Sequence, residues 1–336
     1  MSEVRMADVA ERAGVSLGTV SRALRGLEGV SAATRERIRE VAAELDYVVN
    51  PEAAALAGRS TGRVAVVLHD LTTWYGSSVV LGLERRLRPA GLDLLVRCVD
   101  DPEDRVEFFA RMPVRRKVDA LVVVAMALTP GEFAKLDDAG VVAVAAGSHS
   151  ETVPSVSVDD VLAAQQAVNH LLQLGHRRIA MLNTVADSDR AWQAQQDREE
   201  GYRTAMAMAG IPVDEELVVS WSGGSRGGAQ GMDRLLSGRR SPTGVFAFSD
   251  EVALGAIRSL RRAGIEVARH MSVIGIDDHP LAELTDLTTV AQDPEALGSA
   301  AGQKVLDLLQ GRPVRDTGCF PTRLVVRGTT APPFSG

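Results

Sequence analysis

The chain has 336 residues, of which 45% are hydrophobic and 24% are charged, and its formal net charge at pH 7 is −7. This composition predicts a globular protein long enough for one small domain and one large two-part domain. The negative charge argues against a nonspecific nucleic-acid binder, and no apolar run approaches the length of a membrane span.

The first two predicted elements are short helices joined by a tight turn. Apolar residues of the first helix recur at helical spacing: Val9, Ala10 and Ala13. The run ends at Gly14, which tolerates a left-handed turn, and Ser16 is placed to cap the second helix. Val20 and Leu24 give that helix an apolar face. The residues left for its outer surface are Leu17, Gly18, Ser21, Arg22 and Arg25.

Two such helices form a helix-turn-helix, whose second helix lays its first residues into the major groove of DNA. Arg22 is placed to contact a guanine edge, and Thr19 or Ser21 to contact a phosphate. The alternative is a helical corner in an ordinary α-domain. A third predicted helix from Ala32 to Leu45, capped by Ser31, favours DNA binding. Its inward residues are Ile38, Val41, Ala42 and Leu45.

Four segments of the first sixty residues resemble the lactose/galactose repressor family of bacterial transcription regulators. They are DVAERAGVSLGTVSRAL, VSAATRERI, LDYVVN and AAALAG. The resemblance implies a DNA-binding domain at 1–49. Its contacts with DNA would come from Ser16, Leu17, Gly18, Thr19, Ser21 and Arg22.

The resemblance also implies that residues 50–59 form a hinge helix and linker, with Asn50, Ala53 and Leu56 on the DNA. In the family this helix folds only on operator DNA, where paired leucines wedge into the minor groove. A nine-residue alanine-rich stretch is too short to be helical alone, and Leu56 is its large apolar side chain. Family members often carry a basic residue before the wedge, where this chain has Ala54, and Glu52 adds a negative charge.

After a linker at 58–62, apolar strands alternate with helices. The predicted strands are 64–68, 92–96, 120–125, 141–146, 179–182, 217–221, 245–248 and 273–276. The predicted helices are 79–87, 103–111, 132–137, 163–174, 201–209 and 252–263. This rhythm predicts an α/β fold with parallel sheets and helices on both faces. The strands and helices form two successive groups along the chain, and these groups predict two subdomains with a cleft between them.

In the family this arrangement resembles a periplasmic sugar-binding protein whose chain crosses between subdomains three times. We therefore expect a ligand-binding and dimerisation domain at 60–336. Its N-subdomain would hold 62–160 and 291–320, and its C-subdomain 161–290 and 321–331. The tail is predicted to add one helix and one strand. Because no leucine heptad follows Thr330, we expect a homodimer rather than a tetramer.

Ligands in open α/β sheets bind outside the carboxyl ends of strands. Arg198 lies in the family's R-x-x-G-Y segment, and its guanidinium suits a carboxylate, a phosphate or paired hydroxyls. Asp277 matches the family's ligand-binding aspartate, whereas Asp278 is expected to order the loop. The further effector candidates from the resemblance are Trp74, Tyr75, Asp159, Trp221, Ser249 and Gln292.

Five of the candidates have a structural alternative. Arg198 could be one surface arginine among several, and Trp221 could be a core residue instead of a stacking partner. Trp74 could lie at the cleft mouth, and Asp159 and Gln292 could be solvated. The chain departs from the family at Ala146-Gly147-Ser148, where relatives carry Asp-Arg, and at Ser249-Asp250, where Asn-Asp is usual. These changes remove polar partners of a hexose, so a sugar effector is the family's expectation only.

Two other classes of protein have some support in the sequence. Gly223-Gly224-Ser225-Arg226-Gly227 fits the G-x-S-x-G pattern of serine hydrolases, with Asp250 and His279 downstream, but no upstream oxyanion motif accompanies it. A solute-binding transport protein would require a signal peptide, which the N-terminus lacks, so a cytoplasmic location is expected. Cys98 and Cys319 lack metal-site spacing, and we expect no metal, no cofactor and no enzymatic activity.

The sequence therefore predicts a dimeric transcription regulator, with repression as the usual outcome. It would bind a near-palindromic double-stranded operator through two helix-turn-helix heads. A small-molecule effector in the cleft, a sugar by the family's precedent, would control its affinity for DNA.

Overall fold

The protein consists of two compact units, Met1–Thr61 and Gly62–Gly336. The computed structural model describes residues 4–24, 28–47, 60–99, 102–111, 117–126, 128–184, 193–314 and 317–334. The predictions for Arg25 and for the hinge residues Asn50, Ala53 and Leu56 lie outside these ranges.

The first unit contains the three predicted helices, α1 (Met6–Ala13), α2 (Leu17–Leu24) and α3 (Ala32–Glu44). Gly14 ends α1 with φ of 63°, as the turn requires. The Ser16 hydroxyl accepts a hydrogen bond from the backbone N–H of Thr19 at 3.1 Å, and Ser31 caps α3 in the same way. The fully or nearly buried residues between the helices are Val9, Ala10, Ala13, Val20, Ala23, Ile38, Val41 and Ala42.

The second unit is built on two six-stranded sheets, and the lobe around the first sheet is called the first lobe. Its strands are β1 (Arg63–Leu68), β2 (Asp93–Cys98), β3 (Ala120–Val124), β4 (Val142–Ala146), β5 (Ser155–Val158) and β11 (Thr317–Phe320). They are parallel, in the order β11-β5-β4-β3-β1-β2. Its helices are α4 (Trp74–Leu87), α5 (Pro102–Arg111), α6 (Pro130–Asp138) and α12 (Pro294–Leu309).

The second lobe repeats this plan. Its strands are β6 (Ile179–Asn183), β7 (Val218–Ser220), β8 (Gly244–Ala247), β9 (Ser272–Asp277), β10 (Thr288–Ala291) and β12 (Arg323–Val325). Their order is β12-β10-β9-β8-β6-β7, with β12 antiparallel to β10. Its helices are α7 (Asp160–Gln173), α8 (Gln193–Met208), α9 (Gly224–Ser237), α10 (Asp250–Arg262) and α11 (Pro280–Leu284).

The inner strands are buried because helices cover both faces of each sheet, whereas the edge strand β2 is mostly exposed. All five residues of β3, with the sequence ALVVV, are buried, as expected for a central parallel strand. Helices α4 and α12 approach closely at Gly82, where an added Cβ would overlap the carbonyl oxygen of Glu295. The predicted α/β fold class is confirmed. No helix in the described ranges is long and apolar enough to cross a membrane.

Within the described ranges the chain passes between the lobes three times, after Val158, after Ala291 and after Phe320. The third passage corrects the prediction of a single strand in the tail. Pro321 and Thr322 separate two short strands, β11 and β12, which join different sheets.

Candidate DNA interface and effector cavity

The outer surface of α2 exposes the side chains expected to face DNA. Leu17 is 53% exposed, and Ser16, Gly18 and Arg22 are also exposed. Thr19 is half-buried, and its hydroxyl shares a hydrogen bond of 2.9 Å with Ser16. The outer surface of α2 therefore presents one apolar side chain and small or polar residues in its first turn and one cation in its last turn, which suits entry into a major groove.

Ser21 contradicts the sequence prediction that it lies on this surface, because it is 6% exposed. Successive residues of an α-helix are turned by about 100°, which leaves Ser21 beside the buried Val20 and one turn before Leu24. The buried arc of α2 is therefore wider than the apolar residues alone indicate. Ser21 therefore does not lie on the exposed surface of α2, whereas Arg22 does.

A cavity of about 320 Å³ lies between the two lobes of the second unit. Loops that follow β1 and β4 line it from the first lobe, and loops that follow β6, β7, β8 and β9 line it from the second. This is the carboxyl-end location expected for ligands of open α/β sheets. The predicted effector residues that line it are Tyr75, Arg198, Ser249, Asp277 and Gln292.

Arg198 projects from α8 and is 5% exposed. Its Nε donates to Asp160 Oδ1 at 2.7 Å, and its Nη1 donates to the carbonyl oxygen of Phe248 at 2.5 Å. The guanidinium carbon also lies 4.5 Å from the centre of the Phe248 ring. Burial opposes the charge of Arg198, but Asp160 and Asp277 more than offset this effect and raise its pKa. The arginine is thus a fixed, charge-compensated group in the cavity wall.

Asp277 closes β9 and is 5% exposed. Gln292 donates from Nε2 to Asp277 Oδ1 at 2.7 Å, and the buried Gln292 Oε1 accepts no hydrogen bond from a protein group within the described ranges. Burial raises the pKa of Asp277 to about 8, although nearby Arg198 lowers it. Asp277 has φ of 137°, a conformation rare outside glycine that concentrates at functional sites. Both side chains therefore offer hydrogen-bonding capacity to a ligand.

The loop after β9 is held by ion pairing and hydrogen bonding around Asp277. Asp278, with φ of 61°, accepts a hydrogen bond from Arg327 Nη2 at 2.6 Å. Asp250 accepts from the Thr289 hydroxyl at 2.7 Å and from the backbone N–H of His279 at 2.9 Å. Asp278 thus orders the loop, as its position in the sequence indicated.

Three predicted effector residues do not line the cavity. Asp159 is exposed and caps α7 by accepting a hydrogen bond from Leu162, so the neighbouring Asp160 faces Arg198 instead. Trp221 is 41% exposed, which also excludes the alternative that it is a core residue. Trp74 packs against His279 with ring centres 5.3 Å apart, consistent with the alternative that placed it at the cleft mouth.

Sequence reasoning missed several lining residues, among them His69, Asp70, Asp160, Thr184, Phe248 and Glu251. Asp160 carries a usable signal. A residue that caps a helix points its side chain back to the helix backbone. If Asp159 is the cap, the carboxylate of Asp160 is the one free to contact another element. This inference requires knowledge of the first residue of α7. The sequence did not show where between Asp159 and Ala163 the helix begins.

The residues of the hydrolase alternative do not form a catalytic triad. Ser225 is exposed in the first turn of α9, and Asp250 is bonded to the backbone of His279 rather than to its imidazole. The imidazole Nδ1 accepts a hydrogen bond from Leu281 at 3.0 Å. Within the described ranges, no group of three or more His, Cys, Asp or Glu side chains is arranged to hold a metal ion.

Comparison with known proteins matches both units. Residues 5–50 match the model of bacterial regulatory proteins of the lacI family, and residues 168–330 match the periplasmic binding protein-like domain. The chain is 32% identical to the HTH-type transcriptional regulator DegA of Bacillus subtilis over 334 residues, which cover 97% of each chain.

Solved structures give the same result for the fold. The Lac repressor dimer bound to operator and the anti-inducer ONPF is 28% identical, with a TM-score of 0.84 over 98% of this chain and 100% of that chain. A complex of the transcriptional regulator CelR with cellobiose is 29% identical, with a TM-score of 0.72 over 97% of this chain and 100% of that chain.

Proposed function

Because the chain belongs to the lacI family of bacterial regulatory proteins, we propose that it is a homodimeric repressor of a near-palindromic operator, controlled by a small-molecule effector. It is a DNA-binding transcriptional regulator with a helix-turn-helix head and a periplasmic-binding-protein-like domain. The proposal adds the symmetry of the operator, the sign of regulation and the chemistry of the effector.

The proposed binding to DNA is supported by the exposed outer surface of α2. Leu17, Gly18 and Arg22 are accessible there, while the head itself has a small buried core. One such head supplies few contacts, so two heads on one dimer must engage two half-sites for useful affinity. The hinge segment at 50–59, with Leu56 as minor-groove wedge, stays a prediction from the resemblance.

The proposed binding of an effector rests on one observation. Three buried polar side chains, those of Arg198, Asp277 and Gln292, line the cavity between the two lobes. Asp160 already compensates the charge of Arg198, and Asp70 and Glu251 add carboxylates to the lining. A phosphate or carboxylate ligand would therefore meet no uncompensated cation. Gln292 Oε1 needs a hydrogen-bond donor, since a buried polar atom left unpaired costs about 1–3 kcal/mol.

The effector that fits this chemistry is uncharged and carries several hydroxyl groups. Its hydroxyls would donate to Gln292 and accept from Arg198, and a sugar has both capacities. A ligand held by both lobes favours the closed arrangement of the cleft. In a dimer this shift changes the spacing of the two heads, and effector and operator must then alter each other's affinity by the same factor.

The test is footprinting of the purified protein on DNA that flanks its own coding region. We expect one protected near-palindrome, whose protection an uncharged sugar or nucleoside weakens or strengthens. A sugar phosphate of the same ring should act more weakly. Absence of protection with every compound would contradict the regulator, and protection insensitive to all uncharged compounds would contradict the effector class alone.

A further inference from the structure

A buried carboxylate joins two of the loops that line the effector cavity. Asp250 is the first residue of α10 and is fully buried, but it does not itself line the cavity. Its chain neighbours Ser249 and Glu251 do line the cavity. Gly275 of β9 leaves room for the carboxylate, because an added Cβ atom there would overlap Asp250 Oδ1. The Asp250 side chain is therefore enclosed between α10 and β9, next in sequence to residues that a ligand can reach.

The carboxylate holds the turn that follows β9. Asp250 Oδ2 accepts a hydrogen bond from the backbone N–H of His279 at 2.9 Å, and Oδ1 accepts one from the Thr289 hydroxyl at 2.7 Å. The same Thr289 oxygen accepts from the backbone N–H of Asp278 at 3.4 Å. Burial raises the pKa of Asp250 to about 6, although the hydrogen bonds from Thr289 and His279 lower it. Two consecutive amides of the turn are thus bonded to Asp250 or to its partner.

This turn needs support because its backbone is strained. Asp277 and Asp278 have φ of 137° and 61°, values that residues other than glycine rarely adopt. Such conformations persist only where the surrounding contacts impose them. At the start of the turn Asp277 lines the cavity, and at its end His279 packs against Trp74 of the first lobe. A group that fixes the turn therefore fixes both a cavity residue and a contact between the lobes.

We propose that Asp250 is the positioning residue of the turn 277–279. Through this turn it also holds His279 against Trp74 across the cleft. Asp250 would then act on the affinity for an effector through Asp277 and on closure of the cleft through His279, without touching the ligand. The inference rests on the proposed function where it concerns the effector, whereas the support of the turn is a property of the ligand-free protein.

The test uses the full-length protein with Trp192→Phe and Trp221→Phe, which leave Trp74 as its single tryptophan. Hydrogen exchange in a peptide that contains residues 278–279 reports the turn, and the fluorescence emission of Trp74 reports the contact across the cleft. Asp250→Ala should accelerate the exchange of these amides by about tenfold or more, because their hydrogen bonds are lost. It should also shift the emission to longer wavelength, because water replaces the imidazole beside the indole.

Asp250→Asn is the conservative variant that should preserve both signals. Its amide oxygen can still accept from the backbone N–H of His279, and its NH₂ group can donate to the Thr289 hydroxyl, which is free to accept. Ser259→Ala is the control for a general loss of stability. Ser259 is buried on the same helix and donates to the carbonyl oxygen of Ala229, which is not part of the turn. It should leave the exchange and the emission unchanged.

Asp250→Ser replaces Asp250→Ala if the alanine variant does not fold, because its hydroxyl is one bond shorter than the carboxylate. A folded alanine or serine variant with unchanged exchange or unchanged Trp74 emission would overturn the proposal. So would an asparagine variant, or Ser259→Ala, that is perturbed as much as the alanine variant. Neither signal needs an effector or an operator, so these outcomes are independent of the footprinting that tests the proposed function.

Discussion

Trp74 and His279 contact each other across the cleft, with ring centres 5.3 Å apart and planes inclined at 58°. Trp74 begins α4 in the first lobe, and His279 caps α11 in the second. Because the two rings belong to different lobes, we expect the pair to separate when the lobes move apart. An effector that favours closure of the cleft, as proposed above, should therefore also favour this contact.

Trp74→Ala should weaken effector binding by about 2–10-fold, because an aromatic pair contributes about 0.5–1.5 kcal/mol beyond its buried area. Trp74 does not line the cavity, so direct contacts with the ligand are preserved. Titration calorimetry checks this, with Trp74→Phe as the control that retains an aromatic ring. An unchanged affinity for Trp74→Ala would mean that the contact contributes nothing to closure.

Arg198→Ala should abolish the effector response and destabilise the second unit by about 3–5 kcal/mol, because it leaves Asp160 buried without its partner. Denaturant unfolding measures the cost. The double variant Arg198→Met with Asp160→Leu should be less destabilised than Arg198→Ala, since no charge is left buried. Additive losses in the double variant would show that the ion pair is not the source of the effect.

Asp277→Asn should stabilise the effector-free protein increasingly as the pH rises. The ordinary pKa of 3.8 is raised to about 8 in the folded protein, so the folded state retains a proton that the unfolded chain has lost. The stability contributed by this group is complete below the ordinary pKa and is lost as the pH rises towards about 8. Asparagine does not titrate. The difference in unfolding free energy should therefore grow between about pH 6 and pH 8, and a constant difference would contradict the raised pKa.

Arg22→Ala should cost about 1–3 kcal/mol at the operator and relax specificity at one base pair. Binding to a set of operator variants measures both effects. The control is Arg39→Ala on α3, whose guanidinium lies 3.6 Å from Glu36 in an exposed pair. Ser21→Ala should leave DNA affinity nearly unchanged because Ser21 is buried. Equal losses on all sequences would make Arg22 a phosphate contact.

Leu56→Ala should weaken specific binding and reduce the bend of the operator while leaving effector binding intact. Energy transfer between fluorophores at the two ends of the DNA measures the bend, and calorimetry with the effector is the control. An undiminished bend would remove the wedge assignment.

The helices of the head were predictable because their signals are local. Gly14, Ser16 and Ser31 mark a turn and two caps within a few residues of the apolar positions they serve. β5, with the sequence SVSV, and the five-residue α11 were not predicted, because four or five residues are too few for a periodic pattern to be distinguished from chance. Their position is fixed by pairing with distant strands and by the loops they close.

The cavity was predictable only in outline. Arg198 and Asp277 stand in motifs that the resemblance carries, and both line the cavity; their role in binding an effector stays a prediction. The predicted orientations of the Asp159 and Ser21 side chains were wrong for the same reason. A shift of one residue turns a helical side chain by about 100°, and the sequence does not fix the helix start or the packing partner that finely.

The order in which the chain is made has a consequence for how the two lobes mature. β11 and β12 are edge strands of different sheets, and both follow the other ten strands of the described ranges in chain order. While the ribosome is still adding them, β5 and β10 each present an unpaired edge, the kind of surface that recruits foreign strands. A ribosome that pauses before Thr317 would therefore leave two unpaired strand edges on one nascent polypeptide, and chaperones should be needed until β11 and β12 have been made.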